Sequence, residues 1–478
     1  MACLLVAGLL SCQQAQVPDR YQDLQTPAKI YPDYAGVTVP VNIAPLNFEL
    51  LVGADEAVTR WSAGSHVTVC SGLKAKPGMD DWHALTAEAR GKAISVEVFA
   101  RKDGQWVRFM PFSIHVSPDS IAPWMSYRLI SPSYVSYEEL TLNQRCLENF
   151  DEQVFADNML CSTEKGGQCI NCHSYQQYNP NRIQLHARQN HGGTVIACDG
   201  RLEKVSIPAV YPSWHPWLKL IAYSTNKTMQ SFHTADLNKI EVIDSESDLI
   251  VYDVDGHQST TVENRTDELE TFPAWHPDGR WLYYCSAHFK YPTDSVDAEE
   301  ITLRHKEVKY NIYRKAFDPD IRQFGERELV FAADSLGMSA TLPRISPDGR
   351  WLLFTMGEWG CFHIWHHDAD LWLMDLSTGE ARPLEACNSH DTESYHSWSP
   401  DGRWIVFSSR RNDGVFTRPF FAHIGADGQA AKPFELPAED PDYHRQLLKS
   451  YNVPELMNGP VTLTPQQVAG VLMGEAQP

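Results

Sequence analysis

The stretch that decides the fold is Phe272-Pro-Ala-Trp-His-Pro-Asp-Gly-Arg-Trp-Leu-Tyr-Tyr284, in which a Pro-Asp-Gly turn separates two apolar runs. Proline fixes φ, aspartate hydrogen-bonds its own backbone and glycine accepts positive φ, so these three residues favour a tight turn. Related segments begin at Tyr211, Leu342 and Tyr395, and an apolar run follows each of them. Self-similarity at intervals of roughly 40–70 residues with strand-like content predicts the blades of a β-propeller.

A second type of strand lies between the turns, as in the segments 248–256 and 370–379. A fifth, degenerate copy of the turn and its strand is visible over 172–186. The repeats resemble the PD40 repeats of TolB-like propellers over about residues 165–435, most specifically in their Trp-x-Pro-Asp-Gly-Arg-Trp core. The resemblance implies about six blades, and we expect the sixth to come from residues near 125–140 or from strands at the chain end.

The predicted fold class is all-β: an N-terminal β-sandwich-like domain, then a TolB-like propeller of about six blades with a c-type haem insertion. Short β-branched, alternating runs between Val37 and Val98 favour the sandwich. The predicted boundaries are a signal peptide (1–12), a tether (13–34), the sandwich-like domain (35–125), a connecting segment (126–168), the propeller (169–440) and a C-terminal extension (441–478).

Composition narrows the function classes. The chain has 478 residues, of which 43% are hydrophobic and 21% charged, as in globular proteins of more than one domain. The formal net charge is −21, which argues against a nucleic-acid partner because few cations are present to neutralise phosphates. We expect instead that a basic patch on a partner protein would be attracted.

The first twelve residues are apolar and end in Leu9-Leu10-Ser11-Cys12, followed by a polar stretch. The run is too short to span a bilayer and is typical of a signal peptide. Its end resembles the bacterial lipobox, which implies lipidation of Cys12, export and a lipid anchor in the cell envelope. A disordered or core-docked apolar N-terminus is the alternative.

The chemistry-bearing motif is Cys169-Ile-Asn-Cys172-His173. Two cysteines at this spacing can form thioether bonds to one porphyrin edge, and the adjacent histidine then supplies the proximal iron ligand. We therefore predict one covalently bound haem c. The same cysteines also suit a redox-active disulfide, a zinc site or an incidental pair, but no thioredoxin-like unit and no second Cys-x-x-Cys accompanies them.

The distal haem ligand is left open by the sequence. His186 is the residue we predict, because it lies on the strand after the Pro180 turn, and His191 is the alternative. A methionine such as Met159 or Met229 would also serve as the sixth ligand, and an open iron is the remaining possibility.

Other candidate residues favour structural roles. His215 and His276 occupy matching repeat positions, so we predict that they stabilise the blades. The histidine-rich segment 361–370 lies between two strands of one blade, where core packing is favoured over a metal or substrate site. Among the remaining cysteines, proximity alone suggests a disulfide between Cys146 and Cys161.

The whole chain resembles a group of exported bacterial proteins that combine a TolB/PD40 propeller with one Cys-x-x-Cys-His site. The resemblance implies a fold and a haem rather than a reaction. We expect an electron-transfer or redox-sensing protein whose partner is a redox protein or another envelope protein. An interaction scaffold with a structural haem, or a haem or propeller enzyme, are the alternatives; no Gly-x-Ser-x-Gly elbow is present.

Overall fold

The computed structural model describes residues 15–132, 139–163, 167–293 and 295–475. The predicted signal peptide and Cys12 lie outside these residues. None of the helices formed by the described residues combines the length and apolar character that a membrane-crossing helix needs. The residues form two compact units, one made of 15–37, 44–118 and 437–445, and the other of 38–43, 119–436 and 446–475.

The N-terminal part of the chain is built from short strands and one helix. In chain order these are β1 (Gln22–Pro27), β2 (Ile30–Tyr31), β3 (Thr38–Val39), β4 (Phe48–Leu50), β5 (Glu56–Ala63), β6 (His66–Ser71), β7 (Lys74–Ala75), α1 (Met79–Glu88), β8 (Ala93–Lys102), β9 (Gln105–Met110) and β10 (Phe112–Val116).

The first unit contains two sheets. Strands β1, β9, β8, β10, β5 and β6 belong to the larger sheet, and β2, β4 and β7 form the smaller one. Phe48 of the smaller sheet packs against Trp61 of the larger one, with ring centroids 5.8 Å apart, and both side chains are fully buried. Apolar side chains from two sheets thus meet face to face, which confirms the sandwich-like prediction.

The second unit is a ring of six four-stranded antiparallel sheets. Before the first repeat come β11 (Trp124–Ile130), β12 (Thr141–Cys146) and β13 (Glu152–Asp157). Blade 1 is β14 (Cys169–Tyr175), β15 (Ile183–Arg188), β16 (Gly193–Cys198) and β17 (Arg201–Val205). Blade 2 is β18 (Val210–Trp214), β19 (Leu220–Ser224), β22 (Leu249–Asp253) and β23 (Gln258–Glu263), with the inserted hairpin β20 (Lys227–Phe232) and β21 (Ile240–Glu246).

Three further blades follow in chain order. Blade 3 is β24 (Glu268–Trp275), β25 (Trp281–His288), β26 (Tyr310–Asp318) and β27 (Gln323–Phe331), with α2 (Ala298–Leu303) between β25 and β26. Blade 4 is β28 (Ser339–Ile345), β29 (Trp351–Gly357), β30 (Asp370–Asp375) and β31 (Glu380–Pro383). Blade 5 is β32 (Glu393–Trp398), β33 (Trp404–Ser409), β34 (Arg418–His423) and β35 (Phe434–Glu435), after which come α3 (Tyr443–Gln446), β36 (Ser450–Met457) and α4 (Pro465–Met473).

The ring is closed by strands from both ends of the second unit. β36 pairs antiparallel with β11 and becomes the innermost strand of blade 6, whose outer strands are β11, β12 and β13. β36 also contacts the innermost strands of blades 5 and 1. The sixth blade therefore combines both sources considered from the sequence, residues near 125–140 and the chain end.

Two predicted boundaries need correction. The segment 126–168, predicted to connect two domains, supplies β12 and β13 and most of β11, while the predicted C-terminal extension 441–478 supplies β36. Neither segment contains a Pro-Asp-Gly turn, because blade 6 is assembled from distant parts of the chain rather than from one continuous repeat.

The repeat histidines stabilise contacts between neighbouring blades. His215 Nε2 lies 3.1 Å from the Gly279 carbonyl oxygen, and His276 Nε2 lies 3.2 Å from the Gly349 carbonyl oxygen. Gly279 has φ +60°, and a Cβ there would come within 2.7 Å of the His215 ring. The turn glycine thus allows both the positive φ and the close approach, and both histidines have the structural role predicted for them.

Candidate functional site

The Cys-x-x-Cys-His motif lies in β14, the innermost strand of blade 1. Cys169, Cys172 and His173 are 3%, 5% and 1% exposed. β14 pairs with β15 before Cys172 and after His173, but these two residues together face a single residue of β15. They therefore form a β-bulge, which re-aims their side chains relative to the regular alternation.

The same bulge occurs in the innermost strand of all six blades. Its first residue has positive φ in each case: Cys172, Tyr211, Phe272, Leu342, Tyr395 and Val453. The second residue is proline in four blades, at 212, 273, 343 and 454, and histidine in the other two, His173 and His396. Cys172-His173 thus occupies the place that an apolar residue and a proline take in four other blades.

The six first residues of the bulges meet around the propeller axis. Together with His173 and Arg344 they line a cavity that water-sized molecules can occupy over about 50 Å³. Because one water needs roughly 10–15 Å³ of such space, the cavity suits a few water molecules. The axis of the ring is therefore plugged by side chains at the level of the motif.

His173 is held between apolar and aromatic neighbours. Its ring centroid lies 6.5 Å from that of Phe155 in blade 6 and 6.2 Å from that of Tyr175. Neither ring nitrogen makes a hydrogen bond of ordinary geometry, although the backbone of Val453 lies close enough to interact with the ring. Burial lowers the pKa of His173 to about 3, with help from the cations Arg128 and Arg344, so the imidazole is neutral.

The residues at the motif suit a haem in their ligand atoms but not in the space around them. The donor set suits haem c, because a buried imidazole with two unbonded nitrogens follows two cysteines at the required spacing. The space does not suit it, because a porphyrin is many times larger than the cavity beside Cys172 and His173. A haem therefore does not fit the closed arrangement of blade 1.

His186 is not placed to ligate an iron bound to His173. Its Nδ1 lies 3.0 Å from the Thr194 hydroxyl, which donates to the Ile207 carbonyl oxygen. The adjacent Leu185 points the other way, into the core shared with blade 6, where His173 packs. His186 and His173 thus occupy opposite faces of the blade 1 sheet, and the prediction of His186 as distal ligand disagrees with this arrangement.

The other predicted ligands, His191, Met159 and Met229, lie in elements other than β14 and β15. His191 ends a 3₁₀ helix, and its backbone N–H donates to Gln168 Oε1 over 3.0 Å. Met159 is 57% exposed in another 3₁₀ helix, and Met229 lies in the inserted hairpin of blade 2. No second axial ligand is therefore assigned among the described residues.

The described cysteines form no disulfide. Cys146 and Cys161, suggested as a pair from their proximity in the sequence, are both buried as thiols, and the Cys161 thiol lies 3.5 Å from the Asn158 carbonyl oxygen. Their closeness in the sequence did not indicate a disulfide, because Cys146 ends β12 and the whole of β13 separates it from Cys161.

The histidine-rich segment 361–370 divides into two roles. His363 is fully buried with both ring nitrogens engaged, one by the Thr341 hydroxyl and one by the Trp359 carbonyl oxygen, which agrees with core packing. His366 instead lies 3.1 Å from a carboxylate oxygen of Glu241, which belongs to the inserted hairpin of blade 2. Glu241 has no sequence signal, because its partners come from other blades.

Comparisons with known proteins add no family. No protein-family model and no curated protein matches the sequence. Solved structures do match: prolyl oligopeptidase B from Galerina marginata (TM-score 0.36, 10% identity, 71% of this chain and 42% of that chain) and the tricorn protease (0.31, 11%, 72% and 34%). The β-propeller domain of the Trilobed protease from Pyrococcus furiosus also matches (0.33, 11%, 73% and 95%).

This chain spans less than half the length of the first two of these structures. At such identities and TM-scores, the matches carry no argument about activity. The propeller assignment rests on the strand order of the six blades and on the contacts that close their ring.

Proposed function

We propose that the chain is a c-type haem protein of the bacterial cell envelope, in which one haem is attached to Cys169 and Cys172 and ligated by His173. The observation that carries the proposal is His173 itself. It is a buried imidazole with no hydrogen bond of ordinary geometry to either nitrogen, and it directly follows a Cys-x-x-Cys pair. A metal-binding nitrogen is one of the few roles that explain such an unsatisfied group.

The proposed role is electron transfer or redox sensing. A bound haem would supply a one-electron couple, and the protein would supply two thioether links and an imidazole oriented by Phe155 and Tyr175. The partner would be a redox protein or another envelope protein. A lipid anchor at Cys12 would hold the chain at a membrane, a part of the proposal that is based on sequence alone.

The proposal has a structural consequence. Because the closed ring leaves only a small cavity at the motif, attachment must precede closure of blade 1, or β14 must leave the sheet to accept the porphyrin. Covalent attachment to an incompletely folded chain outside the cytoplasm satisfies this requirement. The loaded protein should therefore differ from the closed arrangement in blade 1 and along the axis.

The test is expression with and without a cytochrome c maturation system, followed by intact mass, haem staining of a denaturing gel and a visible spectrum. We expect a mass increase of one haem and a stained band for the wild type. Cys169→Ala with Cys172→Ala should remove both signals, while Cys198→Ala, another buried cysteine of blade 1, should keep them. A wild-type chain that stays colourless at its polypeptide mass would refute the proposal.

His173→Pro separates loss of ligand from loss of fold. Four of the six bulges carry proline at this position, so we expect the variant to keep its β-rich circular dichroism spectrum. It should nevertheless lose the spectrum of a histidine-ligated haem. A variant with an unchanged haem spectrum would show that His173 does not bind the iron.

A cofactor-free interaction scaffold is the second candidate. The observation that favours it is the equivalence of Cys172-His173 with five other bulges that need no cofactor. In that case the motif would belong to the axial plug, and function would depend on partner binding at the propeller faces. Absence of haem after co-expression, together with normal folding, would support this candidate.

A further inference from the structure

Insertions from blades 2 and 3 bring together three residues that do not belong to the Cys-x-x-Cys-His motif. Glu241 lies on β21 in the inserted hairpin of blade 2, and His233 lies just after β20 in the same hairpin. His305 begins the 3₁₀ helix that follows α2 in blade 3. One ligand-type atom of each residue lies within 4.8 Å of the other two, so the topology gathers two imidazoles and a carboxylate.

The His305 ring is oriented so that its unprotonated Nε2 faces Glu241. Its Nδ1 lies 2.8 Å from the Thr302 carbonyl oxygen, so Nδ1 carries the proton and donates. Nε2 is left with its lone pair, makes no hydrogen bond and lies 3.9 Å from Glu241 Oε2. Two acceptors thus face each other across a gap, an unfavourable arrangement unless a cation or a proton lies between them.

Glu241 is fixed in place from the other side. The Trp359 indole donates to its Oε2 over 3.0 Å, and His366 Nε2 lies 3.1 Å from its Oε1. The residue is 1% exposed. A buried carboxylate held by an indole and an imidazole is oriented as metal-ligating carboxylates are by their outer partners.

His233 completes the set from the hairpin turn. Its backbone N–H donates to the Lys239 carbonyl oxygen over 2.9 Å, which closes the turn between β20 and β21. Its ring centroid lies 6.3 Å from that of His305. His233 and His305 are only partly buried, so a dissolved ion can reach the cluster.

We propose that His233, Glu241 and His305 bind a divalent transition-metal ion, with Zn²⁺ as the best match. Zinc takes nitrogen and carboxylate ligands at about 2.0–2.2 Å, which places two ligand atoms of a tetrahedral site roughly 3.4 Å apart. His305 Nε2 and Glu241 Oε2, now 3.9 Å apart, would have to approach each other by about half an ångström to bind one ion. Two histidines and one carboxylate leave a fourth position open for water or a ligand. The His305 Nδ1–H donated to a backbone carbonyl is the outer contact expected of a metal-binding histidine.

The competing explanation is a protonated His305 paired with Glu241 and no metal. The two explanations differ in the role of His233, which an ion pair between Glu241 and His305 does not need. They also differ in the response to chelators, because an ion pair is indifferent to them. The metal proposal does not depend on the haem proposal.

The test uses full-length protein expressed without a haem maturation system, loaded with Zn²⁺, desalted and analysed by inductively coupled plasma mass spectrometry. We expect about one zinc per chain for the wild type and for Cys169→Ala with Cys172→Ala, which removes the motif cysteines as an alternative site. His233→Ala and His305→Ala should each lose most of it. His288→Ala is the matched control, because His288 is an exposed histidine of blade 3 and should change nothing.

Two further measurements keep the proposal falsifiable if a variant folds poorly. Cobalt(II) added to the colourless double-cysteine variant should give the visible bands of a four-coordinate site, and His233→Ala in that background should not. A chelator should lower the melting temperature of the wild type but not that of His233→Ala. A wild type that retains no zinc, or a His233→Ala with His305→Ala double variant that retains as much, would overturn the proposal.

Discussion

His396 is the second residue of the bulge in blade 5, and its titration tests whether that position is buried. It is 3% exposed in β32 of blade 5, with Nε2 placed 3.2 Å from the Leu353 carbonyl oxygen. Burial lowers the pKa of His396 from 6.5 to about 3, and the cation Arg344 adds to the effect. The folded protein therefore keeps this imidazole neutral in mild acid, while the unfolded chain protonates it.

The direction of the pH effect follows from that difference. A histidine with a depressed folded-state pKa contributes stability that is present above about pH 6.5 and is lost as the pH falls towards 3. At about pH 5 the unfolded imidazole is almost fully protonated, so the folded state loses about 2 kcal/mol relative to about pH 7.5. The perturbation that removes this loss is His396→Pro, because four other blades carry proline in the same place.

The assay is denaturant unfolding followed by circular dichroism at about pH 7.5 and about pH 5. We expect the loss of unfolding free energy between the two conditions to be about 2 kcal/mol smaller in His396→Pro than in the wild type. Packing changes that affect both conditions equally cancel in this comparison. The exposed-site variant His288→Ala should behave like the wild type. An equal pH dependence in His396→Pro and wild type would refute the buried, neutral state of His396.

Two other outcomes follow from buried groups and from ring closure. Glu270 is fully buried, and burial raises its pKa from 4.5 to about 8. The stability that the protonated carboxyl contributes is therefore lost as the pH rises from 4.5 through 8. In denaturant unfolding, Glu270→Gln should gain up to about 4 kcal/mol of unfolding free energy relative to the wild type at about pH 7.5, and little at about pH 4. A chain ending at Lys449 lacks β36 and leaves the edge of β11 unpaired, so limited proteolysis should cleave blade 6 much faster than in a chain ending at Gly474; equal cleavage rates would contradict the closure.

The sequence predicts the propeller because its turns are local. Pro-Asp-Gly at 277–279 and at 347–349 specifies a turn from three adjacent residues, and the apolar run after it specifies the next strand. The strand that closes the ring has no such local signal. Its Val453-Pro454 bulge matches the other blades only after the structure has aligned the innermost strands.

The candidate sites show the same limit. The spacing of Cys169, Cys172 and His173 predicts covalent haem attachment. The sequence could not show that Cys172 and His173 occupy a bulge at the propeller axis, where side chains fill the ring. The cluster of His233, Glu241 and His305 has no characteristic spacing in the sequence. Glu241 and His305 come from different blades and meet only because neighbouring insertions fold over each other.

Comparison of the six bulges also indicates why position 173 is a histidine rather than a proline. A proline at the second bulge position leaves no side-chain polar group to satisfy, and four blades use it. His396 recovers one hydrogen bond through the Leu353 carbonyl oxygen, whereas no hydrogen bond of ordinary geometry forms at His173. A buried polar group without a partner costs roughly 1–3 kcal/mol, so folding alone favours proline over histidine at 173. A residue that is costly for folding, placed directly after two correctly spaced cysteines, is best explained by a ligand that the mature protein carries.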